Sequence, residues 1–398
     1  MQLRRNIVSL LLCLVFLFSH VSVALAADAD EPQAADAKSS ASDSKIQVDA
    51  RSAILICTDT GDVLYAQNEY EKQSPASVTK IASLLVIMDA IESGRISLED
   101  EVTASEAAVE KGGSQIWLEV GEVMTVDELL KATVIASAND ACAALGEYIA
   151  GSEQAFVKMM NEKVASLGLE NSNFENCTGL DDTITNHYSC AYDLAFMSKE
   201  LIAHPLIREY STVWLDYLRD GETELANTNK LVNSYNGITG LKTGTTSAAG
   251  FCLSATATRD GMGLCAVVLG CETSEARFDA ATSLLDYGFA NYKVISPEID
   301  EAQITSVKVK GGIQKETVPV ASGLQKILVD ASNTDVQASY SIKTQVEAPV
   351  KKGDVLGSVT FASEDGNEIA KIDLVAQSDI GKISIKYIWL KLLCFMGR

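Results

Sequence analysis

The sequence is short of histidine and of positive charge. Its 398 residues include three histidines, and 32 lysines and arginines stand against 54 aspartates and glutamates, for a formal net charge of −22. Nucleic-acid-binding proteins neutralise phosphates with clustered basic side chains, so no nucleic-acid partner is expected. The chain also lacks an H-E-x-x-H pattern, and none of its nine cysteines form a C-x-x-C pair. These absences argue against a zinc or redox centre, and we predict no metal and no cofactor.

The positions of the cysteines do not indicate a set of disulfide bonds. Two of them lie in apolar runs, Phe251-Cys252-Leu253 and Leu264-Cys265-Ala266, where a thiol behaves as a small apolar side chain. We therefore interpret the cysteines of the folded part as buried free thiols, although an exported chain could oxidise pairs that the sequence does not identify. These cysteines are Cys57, Cys142, Cys177, Cys190, Cys252, Cys265 and Cys271.

Residues 1–26 have the parts of an export signal. Arg4 and Arg5 precede an apolar run, and Ala24-Leu25-Ala26 supplies the small residues that a signal peptidase requires. An uncleaved anchor is the alternative, and export to the outer face of the cytoplasmic membrane is expected in both cases. Residues 27–45 contain no large apolar side chain, so we predict a flexible acidic leader.

The next part of the chain, residues 46–298, combines strand and helix patterns. Strands are predicted at Ala53–Cys57, Val63–Tyr65, Phe251–Thr258 and Leu264–Gly270. Helices are predicted at about 81–94, 126–135 and 141–149, and in a segment capped by Ser274. Asp260-Gly261 predicts the turn between the last two strands. Strands at both ends with helices between them predict an α+β domain in which helices pack on one antiparallel sheet.

Two further segments follow. Residues 299–378 alternate polar and apolar side chains without a helical period, which predicts a small all-β domain. Residues 379–398 interleave apolar side chains with four basic ones, and no acid follows Asp379. This composition predicts an amphipathic helix lying on an anionic membrane surface rather than crossing it. The alternative is a C-terminal helix docked on the protein itself.

Three short motifs carry the candidate chemistry. In Ser77-Val78-Thr79-Lys80 one helical turn separates the hydroxyl from an amine that could, when neutral, take its proton. Ser137-Ala138-Asn139 offers a hydroxyl for proton relay and an amide for a substrate carbonyl. Lys242-Thr243-Gly244 offers a carboxylate site beside a glycine that permits a ligand to approach the backbone. Each motif alone fits a helix cap or an exposed edge strand, whereas their order together does not.

The motifs in this order resemble those of penicillin-binding proteins and class A β-lactamases. From about Val48 to its end, the chain is similar to the low-molecular-mass penicillin-binding proteins of the D-alanyl-D-alanine carboxypeptidase family. Supporting segments are Lys111–Gln115, His187-Tyr188-Ser189 with Asp193, and Leu284–Phe289. The resemblance implies a serine β-lactamase/penicillin-binding, transpeptidase-like fold. It also implies an enzyme that removes the terminal D-alanine from the pentapeptide stem of peptidoglycan and that β-lactams acylate.

The resemblance also implies residue roles. Ser77 would be the acylated nucleophile, Lys80 its base, and Ser137 a further catalytic residue beside the substrate-binding Asn139. The remaining substrate-binding residues would be Lys242, Thr243, Gly244, Thr245 and Arg277. Of these, Lys242, Thr243 and Arg277 would bind the terminal carboxylate of the substrate. Backbone N–H groups of Ser77 and Thr245 would form an oxyanion hole. Position 138 departs from the β-lactamase pattern because it is alanine, and Thr245 occupies a variable position of the family.

Three alternatives share these motifs. A class A β-lactamase would need a glutamate that activates the deacylating water, and no E-x-x-L-N pattern lies between Asn139 and Lys242. A non-catalytic wall-binding or penicillin-sensing protein would not need an intact catalytic set. A D,D-endopeptidase acting on cross-links remains open.

Overall fold

The computed structural model describes residues 46–180, 186–323, 326–364 and 366–389. The predicted export signal and leader, and residues 390–398 of the predicted tail, lie outside the described residues.

An antiparallel sheet organises the first part of the chain. The strands of this part are β1 (Ser52–Cys57), β2 (Val63–Gln67), β3 (Glu101–Thr103), β4 (Val123–Thr125), β5 (Leu215–Leu218), β6 (Thr223–Ala226), β7 (Ile238–Thr246), β8 (Gly250–Arg259) and β9 (Met262–Cys271). Five of them form the sheet in the order β2-β1-β9-β8-β7, and the others form the hairpins β3-β4 and β5-β6. The predicted hairpins β1-β2 and β8-β9 are confirmed, and Asp260-Gly261 turns the second one at positive φ.

Helices cover both faces of the sheet. They are α1 (Lys80–Glu92), α2 (Glu106–Val109), α3 (Val126–Ile135), α4 (Asn139–Ala150), α5 (Glu153–Ser166), α6 (Ala191–Ile202), α7 (Pro205–Ser211) and α8 (Ser274–Asn291). Because strand side chains alternate in direction, Ile54 and Ile56 of β1 enter a core with α1 and α3 to α6. Leu55 enters a second core, on the other face, with α8. The predicted α+β architecture is confirmed.

Helix ends follow their caps. Helix α3 has the predicted bounds. Its start is fixed by a capping box of Thr125 and Glu128, in which each side chain bonds the other residue's backbone N–H. The prediction that Ser274 caps α8 is wrong. Thr273 is the cap, since its backbone is extended and its hydroxyl accepts from Ala276 N at 3.0 Å, whereas Ser274 is already helical.

The second part of the chain is all-β, as predicted. Its strands are β10 (Tyr292–Ile295), β11 (Val307–Lys310), β12 (Glu316–Thr317), β13 (Val320–Ala321), β14 (Ile327–Asp330), β15 (Val336–Ile342), β16 (Gln345–Glu347), β17 (Val355–Ser363) and β18 (Glu368–Val375). They form the sheets β13-β18-β17-β15, β12-β11-β16 and β10-β14. Val359, Phe361 and Leu374 are central to one of the two small cores.

The beginning of the predicted tail belongs to this β domain. Ile380 is fully buried and pairs with Val350, and Ile383 N donates to Gly311 O at 2.8 Å. Residues 385–389 are helical, and Trp389 is exposed. No helix in the described part of the chain is long and apolar enough to span a membrane. The segment free to reach a surface therefore begins after Ile383 rather than at 379.

The seven predicted free thiols are all buried and unbridged. Burial raises the pKa of Cys265 and of Cys271 to about 12, which suppresses the reactive thiolate. Cys265 and Cys271 therefore act as small apolar side chains in the core, as predicted for Cys265 from its apolar run.

Candidate active site

Ser77 lies in a short 3-10 turn, residues Ala76–Thr79, that leads directly into α1. We call this segment the Ser77 turn. Its one-turn separation from Lys80 brings the two side chains together, and Lys80 Nζ donates to Ser77 Oγ at 3.1 Å. Ser77 is half-buried, whereas Lys80 is fully buried. The predicted hydroxyl–amine pair is present.

Two other acceptors hold the Lys80 amine. It donates to Asn139 Oδ1 at 2.5 Å and to Thr178 O at 2.9 Å. Burial lowers the pKa of Lys80 to about 8, against an opposing influence of Cys142, Cys177 and Asp140. About one lysine in ten is therefore neutral at pH 7, far more than for a solvent-exposed lysine. Some Lys80 is therefore present as the neutral amine that can accept a proton, and no separate carboxylate base is required.

The second motif joins α3 to α4. Ser137 has φ of 61°, and its buried Oγ has no hydrogen-bond partner among the described residues. A buried hydroxyl without a partner is costly and is typical of a group that awaits a ligand or a water. Asn139 was expected to hold a substrate carbonyl. Its amide nitrogen donates to Gly112 O at 2.7 Å, so the side chain links Lys80 to that loop, and its contact with a substrate stays a prediction.

The third motif lies on β7, opposite the Ser77 turn. Lys242 is 1% exposed, so the alternative of an exposed edge-strand lysine does not apply. Its pKa is well below its usual value because of burial, with Lys80 and Arg277 adding repulsion. Thr243 Oγ1 donates to Thr228 Oγ1 at 2.7 Å.

Gly244 is required by the packing of the protein itself. A Cβ at this position would lie 2.8 Å from Pro75 O and 3.0 Å from Ser77 N. These are backbone atoms that cannot rotate away, so a side chain here would push β7 off the Ser77 turn. The close packing of two motifs thus accounts for this glycine, and a ligand's approach to its backbone stays a prediction.

Arg277 reaches the end of the third motif from α8. Its Nη1 donates to Gly244 O at 3.2 Å and to Thr245 Oγ1 at 3.0 Å. The guanidinium also lies over the rings of Phe251 and Phe278, at 5.4 and 4.8 Å from their centroids. Burial lowers its pKa, yet an arginine remains charged. Arg277 thus places a cationic side chain beside the exposed Thr245, and the buried Lys242 of the same strand lies close enough for the two charges to repel.

Sequence reasoning missed the segment that closes the other side of the Ser77 turn. Thr178 contributes only a carbonyl, and Gly179, at φ of +77°, packs so tightly that a Cβ would lie 1.8 Å from Ala76 O. A backbone acceptor leaves no signal in a sequence. A lone glycine is likewise read as an ordinary turn.

His187 lies in one of the segments that resemble the family, and the resemblance implies no role for it. Glu175 N donates to its Nδ1 at 3.1 Å, so Nε2 carries the proton and donates to Thr79 Oγ1 at 2.8 Å. Burial lowers its pKa to about 4, which keeps the ring neutral. His187 therefore ties the Ser77 turn to the segment that holds Thr178.

Comparisons with known proteins identify relatives of this chain. Residues 37–273 match the family model described as D-alanyl-D-alanine carboxypeptidase, and residues 298–382 match the model of the penicillin-binding protein 5 C-terminal domain. The chain is 42% identical to D-alanyl-D-alanine carboxypeptidase DacF of Bacillus subtilis (strain 168), covering 85% of this chain and 88% of the relative. It is 34% identical to DacC of Escherichia coli (strain K12), covering 84% of each.

Solved structures show the same similarity. Penicillin-binding protein 5 of Haemophilus influenzae superposes with a TM-score of 0.77 at 30% identity, covering 85% of this chain and 99% of that one. Penicillin-binding protein D2 of Listeria monocytogenes, solved in its ampicillin-bound form, has a TM-score of 0.57 at 28% identity and covers 62% of this chain.

Proposed function

The chain belongs to the D-alanyl-D-alanine carboxypeptidase family of penicillin-binding proteins, and from this premise we propose that Ser77 is the residue its substrate acylates. The observation that carries the proposal is the 3.1 Å contact between Ser77 Oγ and the fully buried amine of Lys80. A serine hydroxyl is a weak nucleophile until a nearby base takes its proton. The lowered pKa of Lys80 supports that role.

The reaction proceeds in two steps. Neutral Lys80 takes the Ser77 proton as Oγ bonds the carbonyl carbon between the two D-alanines. The C–N bond then breaks, and the released D-alanine amine leaves with a proton. Ser137 is the group that relays this proton, a role supported by its buried, unpartnered hydroxyl. Water next hydrolyses the ester and restores Ser77. β-Lactams follow the first step and remain bound as the acyl-enzyme.

The substrate's terminal carboxylate binds at the third motif. Lys242, Thr243 and Arg277 are its partners, because two basic side chains and a hydroxyl lie on or beside the strand that packs against the Ser77 turn. A bound carboxylate favours the charged form of Lys242 and offsets its burial. The backbone N–H groups of Ser77 and Thr245 form the oxyanion hole. The close packing of Gly244 on Ser77 N supports this pairing.

The protein works at the outer face of the cytoplasmic membrane. The composition of residues 1–26 supports export, and the C-terminal segment supports attachment to an anionic surface. In its described part, Ile385, Ile388 and Trp389 expose 76%, 48% and 60% of their surface. These side chains are the ones that would enter the lipid boundary.

The test is the Ser77→Ala variant with a peptide ending in D-Ala-D-Ala. The wild-type protein should release D-alanine and gain the mass of one penicillin, and the variant should do neither while keeping its unfolding transition. Full penicillin labelling of the variant by intact-mass analysis would refute the assignment of Ser77.

A further inference from the structure

Trp117 is both exposed and strained. It lies in the loop between α2 and β4, residues 110–122, with φ of 58° and 75% of its surface exposed. A positive φ is a strained backbone conformation for a bulky residue, and a largely exposed indole offsets little of that strain through burial. Such a residue persists only where its surroundings hold it in place.

A buried carboxylate provides that hold. Asp140 follows Asn139, is fully buried, and accepts the backbone N–H of Ile116 at 3.2 Å and of Leu118 at 3.1 Å. The side chains of Ile116 and Leu118 are buried on either side of Trp117. The backbone that carries the indole is thus fixed to the residue next to a proposed substrate-binding group.

The β5-β6 hairpin connects the same loop to the third motif. At its tip, Arg219 donates to Ile116 O at 2.8 Å and to Glu122 Oε1 at 2.7 Å. At its base, β6 leads to Thr228, whose hydroxyl accepts from Thr243. The outer face of β5 exposes Leu215 and Tyr217 by 44% and 53%. Hydrogen bonds of Arg219 therefore link the Trp117 loop to the hairpin that carries this exposed face, and the same hairpin leads to the third motif.

The local charge selects the kind of ligand. Residues 115–123 and 215–226 hold six acidic side chains and one basic one, Arg219, which is already paired. This acidity repels anionic lipid. Aromatic rings flanked by carboxylates suit a neutral carbohydrate, because the rings cover its apolar C–H faces and the carboxylates accept from its hydroxyls.

We propose that Trp117, together with Tyr217 and Leu215, binds the glycan strand of peptidoglycan while the attached stem peptide occupies the site at Ser77. The proposal rests on the proposed function, and it assigns the N-acetylated amino sugars of the substrate to a surface outside the catalytic motifs. The enzyme would accordingly favour stem peptides that are still attached to glycan.

The experiment compares two substrates with one variant. Trp117→Gly removes the indole and suits the positive φ, so the loop keeps its conformation. We expect kcat/KM for D-alanine release from polymeric peptidoglycan to fall about tenfold, the loss of one aromatic contact. Release from a free pentapeptide and acylation by penicillin should not change. Tyr70→Ala, which removes another exposed aromatic ring (53% exposed), is the matched control and should alter neither.

A second readout uses binding alone. A tetramer of N-acetylglucosamine should quench tryptophan fluorescence in the wild type and not in Trp117→Gly. Equal losses on polymer and free peptide would make Trp117 a support of the catalytic site and overturn the inference, as would unchanged rates on both. A drop in liposome binding would assign the surface to lipid instead. If the wild type released no D-alanine from the free pentapeptide, the proposed function itself would fail.

Discussion

Gly179 offers a direct test of how the Ser77 turn is held. A Cβ at this residue would lie 1.8 Å from the Ala76 carbonyl oxygen and 2.4 Å from its carbon. Both are backbone atoms, so rotation of a side chain cannot relieve the overlap. Gly179→Ala must push its segment, including the Thr178 carbonyl that holds Lys80, away from the turn.

The magnitude follows from two separable costs. An alanine at positive φ costs about 1–2 kcal/mol, and forcing an atom into packed surroundings adds about 1–3 kcal/mol. Gly168 isolates the first cost, because its φ is +73° and a Cβ there would meet no atom within 4 Å. Gly168→Ala should therefore lose about 1–2 kcal/mol of unfolding free energy, and Gly179→Ala roughly 2–5 kcal/mol.

The two variants should differ more in chemistry than in stability. Displacing a catalytic group by 1 Å costs on the order of 100-fold in rate. The acylation rate with a fluorescent penicillin should thus fall by about that factor in Gly179→Ala and stay at the wild-type value in Gly168→Ala. Urea unfolding and stopped-flow labelling measure the two effects. Indistinguishable variants in both assays would mean that this contact does not position Lys80.

Three further predictions concern Lys80, His187 and the C-terminal segment. Lys80→Ala should fold and bind penicillin but acylate about 10²- to 10⁴-fold more slowly, and a rate within a few-fold of wild type would exclude Lys80 as the base. Because the folded-state pKa of His187 is about 4 rather than 6.5, the unfolded chain binds the extra proton between these values. Stability should fall by up to about 3 kcal/mol as the pH drops through that window and should change no further from this group below it. The His187→Gln variant should lack this component in urea titrations. Deleting residues 384–398 should abolish sedimentation with anionic liposomes and leave D-alanine release from a soluble peptide intact. If the truncated protein still sediments, the tail is a helix docked on the protein rather than a membrane contact.

The sequence predicts local structure well where local contacts decide it. Helix α3 was placed correctly because Thr125 and Glu128 form a reciprocal cap within one turn. At α8 two neighbouring hydroxyl residues could serve as the cap, and only the extended backbone of Thr273 decides between them. Periodicity fixes the element, but tertiary context fixes its first residue.

The candidate site divides in the same way. The three motifs mark Ser77, Ser137 and Lys242, since their chemistry is carried by side chains. The contacts that support this chemistry cannot be predicted from the residue types. The Thr178 carbonyl, the burial of Lys242 and the packing of Gly244 depend on segments that are distant in the chain. For that reason the motifs predict which reaction occurs, whereas the fold alone sets the basicity of Lys80.

The pairing of β1 with β9 has a consequence for how the chain reaches its active form. These neighbours in the sheet, such as Ile54 and Val267, are about 200 residues apart in sequence. Strands so far apart in sequence pair late in folding. Until β9 pairs with β1, the β1-β2 hairpin has an unpaired edge strand whose apolar side chains are exposed. A ribosome making this chain from its N-terminus delivers Ser77 long before the strand that completes its sheet. The nascent chain therefore passes through a long inactive interval in which its first hairpin is prone to aggregate, and a chain truncated before β9 should remain inactive however complete its Ser77 turn.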